Sequence, residues 1–321
     1  MELPVEVALA RPLRELPADL PPGTWLEPKV DGWRVQLATG PDAIAYSRHG
    51  TNLSRAFADL VAAARELPPA VLDGELLAVR PDGSLAFGLL QTRAGRSGPR
   101  PSEGFHIQFA AFDQLATGRA RRDLRARPLR ERREHLEQLL TGAAGSPLWA
   151  LPTSTDLEQA RSWVGALGGG IEGAVVKPSA AAYLPRYGSG WLKWRAVHTV
   201  EAVVCGITPG TTPASQAAVL AQPGRDGHLR PVGVSLPLPA EVRAELAQRL
   251  RPTGTGMEQL AGTVGGLPGA AAVTYRPVHP DVVVEIAVDQ AELEFGRYRH
   301  RPRVLRIRGD LEPGQLTSPN P

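Results

Sequence analysis

Lysine is almost missing from this 321-residue chain: of 36 Lys and Arg residues, 33 are arginine and only Lys29, Lys177 and Lys193 are lysine. Arginine serves wherever positive charge alone is needed, but it cannot give up its proton, whereas a lysine amine can. The three survivors therefore mark positions where a nucleophilic amine or a compact charge for phosphate is required. The lone cysteine, Cys205, excludes an intramolecular disulfide and any multi-cysteine zinc site. The seven histidines never fall at metal-ligand spacing with one another or with Cys205. No apolar run nears the ~20 residues of a membrane span. Met1-Glu2-Leu3-Pro4 shows neither a basic nor an apolar leader segment. These absences predict a soluble protein of a reducing, cytoplasmic compartment with no membrane partner.

What is present fits a folded chain. The 34 Gly and 31 Pro make about a fifth of the residues, below the ~25–30% of low-complexity sequence. Hydrophobic residues make up 42% and charged residues 21%, with a net charge of +3, so clustering of charge says more than its total. At ~150 residues per domain, two domains are expected. Period-two or apolar runs predict strands at Trp33–Leu37, Val71–Val79, Phe105–Leu115, Ile171–Lys177 and Trp191–Val197. On the third of these, Ile107, Phe109, Ala111 and Asp113 should share a face. Helices are expected at Leu53–Leu67, with Asn52 as cap, at Leu129–Leu140 and at Leu157–Leu167. Strands alternating with helices give an α+β first domain. Beyond His198 come short β-branched runs at 200–207, 219–222, 232–236, 271–275 and 282–288, with a helix at Ala240–Leu250. That pattern predicts a small, mainly β barrel such as an OB-fold, with domains at 1–198 and 199–321.

The densest chemistry is Lys29-Val30-Asp31-Gly32-Trp33-Arg34. A lysine of ordinary pKa, ~10.4, is neutral in about one molecule in a thousand near pH ~7.4. A nucleophilic Lys29 needs neighbouring cations to depress it, and Arg34, Lys193 and Arg195 are the candidates. Lys193 and Arg195 are two apart on a strand and so face the same way, as joint phosphate binding requires. Gly32 permits a tight turn after the lysine. Lys177 is five positions from Glu172, on the opposite face of its strand unless a bulge intervenes.

The segment resembles the Lys-x-Asp-Gly-x-Arg motif of the covalent nucleotidyltransferases: DNA ligases, RNA ligases and mRNA-capping enzymes. Further segments resemble the family's other motifs in order: Ser47-Arg48-His49-Gly50, Leu72-Asp73-Gly74-Glu75-Leu76, Phe109-Ala110-Ala111-Phe112-Asp113, Ile171 to Lys177 and Trp191-Leu192-Lys193-Trp194-Arg195. The stretch Leu85 to Arg93 and the tail His300 to Arg308 look like ATP-dependent DNA ligases, in particular the short bacterial C-type enzymes of actinobacterial repair. The resemblance implies an α+β nucleotidyltransferase (ATP-grasp-like ligase) domain followed by an all-β OB-fold domain. It implies Lys29 as the residue that takes up AMP, assisted by Asp31. Glu27, Arg34, Arg48, Glu75, Phe112, Lys177, Lys193, Arg195 and Arg308 would bind ATP. Within that set Glu75 meets the ribose, Phe112 stacks on the purine and Arg308 orients pyrophosphate. Glu172 would sit at the metal, Mg²⁺ or Mn²⁺. Two positions depart from the pattern: Arg195 replaces a lysine, and Leu311 replaces the lysine of an Arg-x-Asp-Lys motif.

Eleven arginines against four acids lie between Arg93 and Arg133, and six without an acid lie between Arg297 and Arg308, as phosphate-backbone contacts require. The implied activity is sealing of nicked or broken duplex DNA in repair, by a nucleoid-associated monomer. Polymerase or nuclease work would fall to partners, and bacterial end-joining proteins such as Ku are expected beside it. An RNA ligase, a capping-type enzyme, or a non-catalytic nick- or end-binding protein (suggested by Leu311) are the alternatives.

Overall fold

A computed structural model describes the chain except residues 96, 97, 100–103, 142–144, 167–169, 261–271, 290–292, 294, 295 and 318–321. The chain divides into two compact units, Met1–Ala196 and Val197–Pro321. The first unit begins with β1 (Arg11–Leu13), β2 (Thr24–Val30), β3 (Trp33–Ala38) and β4 (Ile44–Ser47). Next come α1 (Ala58–Arg65), β5 (Ala70–Val79), α2 (Phe87–Ala94) and β6 (His106–Thr117). It continues through β7 (Arg122–Asp123), α3 (Leu129–Thr141), β8 (Leu148–Ala150) and α4 (Leu157–Ser162) to β9 (Ile171–Pro178) and β10 (Leu192–Arg195).

These strands form two sheets, ordered β1-β10-β9-β2 and β4-β3-β5-β6-β7, with β8 added in parallel to β6. One apolar cluster on the larger sheet packs Leu37, Leu72, Phe109 and Ala111 under Phe57, Leu60, Leu90 and Leu136 of the helical side. A second joins both sheets through Val30, Ile171, Leu77, Ala110 and Phe112. The smaller sheet therefore covers the larger one, and β2 runs directly into β3 at Asp31-Gly32. Gly32 has no left-handed φ. A Cβ there would lie 2.3 Å from Leu76 O, so glycine is needed for the close approach of this turn to β5 rather than for turn geometry.

Three expected features change. The first helix starts at Ala58 rather than Leu53, because Asn52 Oδ1 accepts from Ser54 N–H at 2.9 Å and closes a local turn instead of capping a helix. α4 ends at Ser162, and Leu167 lies outside the described residues. On β6 a register shift pairs Gly74 with Ala111 but Asp73 with Asp113. Phe112 is skipped, so Asp113 turns away from the face of Ile107, Phe109 and Ala111. It is fully buried and meets the equally buried Arg132 of α3 at 2.7 Å.

The second unit contains β11 (His198–Ile207), β12 (Ala218–Pro223), β13 (Leu229–Val234), α5 (Ala240–Arg249), β14 (Glu258–Leu260), β15 (Val273–Val288) and β16 (Arg303–Ile307). They form an antiparallel sheet ordered β13-β12-β11-β15-β14, with β16 on β15. Val242 and Leu246 of α5 pack on Ala202, Val204, Leu220, Val284 and Ile286. The two runs expected at 271–275 and 282–288 are parts of the single 16-residue strand β15, with Ala271 outside the described residues. Pro277 and Pro280 read as breakers in sequence. The strand absorbs them in a bulge: Val204 pairs with Val282, but Gly206 pairs with Pro277.

Candidate active site

The smaller sheet gathers the candidate residues by register. Lys29 stands opposite Gly173, and Gly173 opposite Arg195; one step along, Glu27, Val175 and Lys193 form the next row. Alternation then places Glu27, Lys29, Lys177, Lys193 and Arg195 on one face. Glu172 has the wrong parity for that face. A register shift between Lys29 and Val30, which pairs Val30 with Ile171, leaves Glu172 as the extra residue. The bulge swings its carboxylate across, where Oε2 forms an ion pair with Lys29 Nζ and lies 3.2 Å from Arg195 Nε. Lys177 and Glu172 thus serve one site despite their odd spacing. A Cβ on Gly173 would meet Trp194 O at 2.2 Å, so only glycine lets β10 come close enough to bring Lys193 and Arg195 beside Lys29.

Lys29 opens onto a cavity of about 220 Å³. Glu27, Lys29, Arg34, Arg48, Glu75, Phe112, Lys177 and Lys193 all line it. Partial burial, together with repulsion from Arg195, Lys29 and Arg48, pushes the Lys193 ammonium below the usual lysine range. Burial raises Glu75 to about 7 against the pull of Lys29 and Arg34. The cations expected around Lys29 therefore converge, with one exception. Arg34 lines the cavity, but its fork grips the fully buried Asp73, Nε at 3.0 Å and Nη2 at 2.6 Å. Its Nη1 donates to Ala8 O at 2.5 Å, and Nη2 also reaches the Tyr183 hydroxyl at 3.3 Å. One of its five N–H groups is left.

Below the cavity Lys177 and Glu27 form a buried ion pair at 2.5 Å. Burial raises the Glu27 carboxyl, opposed by Lys177. Lys177 Nζ also sits between two rings, 4.5 Å from the centre of Phe112 and 4.1 Å from that of Trp191, close enough for cation–π attraction. Phe112 itself is edge-on to Trp191 at 6.2 Å.

Other candidates lie apart from the cavity lining. Asp31 is buried at the β2–β3 turn, where its N–H donates to Gly170 O at 2.9 Å. Glu172 and Arg195 reach the site through Lys29. Arg308 belongs to the second unit, where it is bound by Glu201 and Asp310. The arginine clusters are partly internal. Arg93, Arg132 and Arg133 are buried, and Arg93 binds Ala56 O and Asp59. Arg96 and Arg100 lie outside the described residues. The 118–121 turn, which carries Arg119 and Arg121, meets Pro69 at the end of β5 remote from Glu75. In the tail, Arg301 is tied to Ser235 O and Arg306 to Glu285, while Arg303 is exposed.

Sequence reasoning passed over Leu9, Ala10, Trp191 and Tyr187, which also line the cavity. Trp191 was read as the first residue of a strand and of a family motif, with no contact at the site assigned to it. Leu9 and Ala10 carry no motif; they reach the site because Leu9 N–H bonds to Arg186 O and β1 pairs with β10.

A family model described as "ATP dependent DNA ligase domain" matches residues 8–195. The chain is 30% identical to DNA ligase C of Mycobacterium tuberculosis over 98% of its own length and 93% of that protein. It is 31% identical to DNA ligase C2 of Mycolicibacterium smegmatis, over 99% and 95% respectively. Its fold is like that of a solved Lig E DNA ligase, with a TM-score of 0.55 at 17% identity, covering 95% of this chain and 100% of that one. The architecture is accordingly an α+β nucleotidyltransferase domain followed by an OB-fold domain. With its lysine-bearing motif on a cation-lined cavity and a domain match across more than half its length, the chain belongs to the ATP-dependent DNA ligase family.

Proposed function

We propose that the protein seals nicks and breaks in duplex DNA during repair, using ATP through a lysyl-AMP intermediate on Lys29. The observation that carries this reading is the convergence of Lys29 with Lys193 at the cavity and with Arg195 on the same sheet face. Lys29 Nζ attacks the α-phosphorus of ATP, forming a P–N bond as the bond to pyrophosphate breaks. Lys193 and Arg195 offset the charge that builds on the phosphate oxygens. Glu75 accepts from the ribose hydroxyls, and Phe112 with Glu27, Lys177 and Arg34 frames the base. Arg48 reaches in from the turn after β4. AMP then passes to the 5′-phosphate at the nick, and the 3′-hydroxyl displaces it to join the strand. Asp31 steadies the turn that presents Lys29, and Arg308 orients the departing pyrophosphate.

Glu172 suits a divalent cation. Its Oε1 is buried without a hydrogen-bond partner, and no cluster of three or more metal-ligating side chains occurs among the described residues. One carboxylate with phosphate oxygens and water is how Mg²⁺ is usually bound, and Mn²⁺ would substitute. Such an ion supplies charge neutralisation at the phosphates. The domain after about residue 198 closes on ATP for the first step and reopens onto DNA, a gating role. Among the described residues no helix is long and apolar enough to cross a membrane. In this reading the protein is a cytoplasmic, nucleoid-associated monomer working beside end-joining proteins such as Ku.

The test is substrate competition. ATP should outcompete GTP for label transfer, and nicked DNA should be sealed in preference to nicked RNA. Preference for GTP, or for an RNA nick, would replace this reading with the capping-type or RNA-ligase alternative.

A further inference from the structure

The register of β11 and β15 sets Glu201 directly opposite Glu285. Like charges facing each other on neighbouring strands weaken a sheet, so the pair needs a cation. Arg308 supplies it. Its Nη1 donates to Glu201 Oε1 at 2.7 Å and lies 3.6 Å from Glu285 Oε2. Nε and Nη2 donate to Asp310 at 2.9 and 2.8 Å. The backbone is fixed as well: Arg308 N–H donates to Val283 O at 2.9 Å, and Leu311 N–H returns to Arg308 O at 3.1 Å, folding Asp310 back onto the guanidinium. Glu201 is anchored in turn by Gln222 Nε2, which donates to its carbonyl at 2.7 Å. Three of the five guanidinium N–H groups are engaged, leaving one on each terminal nitrogen.

We infer that Glu201 is a positioning residue for Arg308: with Asp310 it fixes the guanidinium and leaves two N–H groups directed by that grip for a phosphate oxygen. A free arginine must be ordered when it binds, and here the ordering precedes the substrate. The inference rests on Arg308 acting on the pyrophosphate of ATP, a role confined to lysine adenylation.

The experiment separates the steps in the intact protein. Lysine adenylation with ATP, and joining of a nick that already carries 5′-AMP, are timed for wild type, Glu201→Ala, Glu201→Gln and Arg308→Ala. Glu201→Ala should slow adenylation about tenfold at saturating ATP through misplacement of the guanidinium. Glu201→Gln keeps an acceptor oxygen and should recover most of that loss. Both should join pre-adenylated nicks at the wild-type rate and melt at the wild-type temperature. Wild-type adenylation by Glu201→Ala alongside a slow Arg308→Ala would overturn the inference alone. Equal losses in both steps would make Glu201 a contact of the fold and also overturn it. Wild-type adenylation by Arg308→Ala would remove the reading of Arg308 and the inference together.

Discussion

At the residue scale the site depends on charges kept from water at close quarters. Glu75 is the plainest case, with burial raising its carboxyl to about 7. The folded chain then holds that proton where the unfolded chain has lost it, so stability declines as pH rises from the ordinary carboxylate range toward 7. Glu75→Gln removes the effect, and its melting temperature relative to wild type should rise between about pH 5 and about pH 8. ATP binding by wild type should weaken below pH 7 as the ribose acceptor is protonated, which titration calorimetry across that range would register. The Lys177–Glu27 pair makes a second prediction. Both side chains are about 2% exposed, so Lys177→Met alone strands a buried carboxylate and should cost about 3–5 kcal/mol in urea unfolding. Adding Glu27→Gln should restore most of it. The chemistry at this scale was legible, because three lysines among 33 arginines identify themselves. The partners were not: nothing in the sequence shows that Arg34 spends its fork on Asp73 and Tyr183, since those contacts span 39 and 149 positions.

At the element scale one bulge and one glycine assemble the site. Period-two reasoning put Lys193 and Arg195 on a common face, and the sheet does the same. It put Glu172 on the face away from Lys177, and the β9 bulge reverses that by inserting one residue. The same device on β6 turns Asp113 toward Arg132. Bulges are set by the partner strand rather than by local composition, which is why alternation misses them. Gly173 is the weak point this creates. Gly173→Ala places a methyl against Trp194 O and should cost about 1–3 kcal/mol of stability. It should also reduce labelling of Lys29 far more than that loss explains, since Lys193 and Arg195 would be pushed out of line. Thermal melts alongside labelling rates would check both. β15 was read as two strands because its prolines look like breaks, yet its bulge accommodates them.

At the scale of the whole molecule, charge counts overstate the surface available to DNA. Three of the nine described arginines in the first cluster are internal, and several in the tail are paired within the second unit. Arg303, exposed on β16, remains a candidate phosphate contact. Arg303→Ala should lower the slope of log affinity against log salt by about 0.9 for nicked DNA, uniformly across sequences. Arg132→Ala should instead lower stability, because it leaves Asp113 buried and unpaired. Fluorescence anisotropy at several salt concentrations distinguishes the two. The central claim remains the covalent chemistry of Lys29. The protein, first treated with pyrophosphate to strip any AMP already bound, is incubated with α-labelled ATP and Mg²⁺ and run on a denaturing gel beside Lys29→Ala. Label retained by wild type and absent from Lys29→Ala is the expected result. Stripped wild-type protein that stays unlabelled, or a Lys29→Ala chain that takes up label, would contradict it.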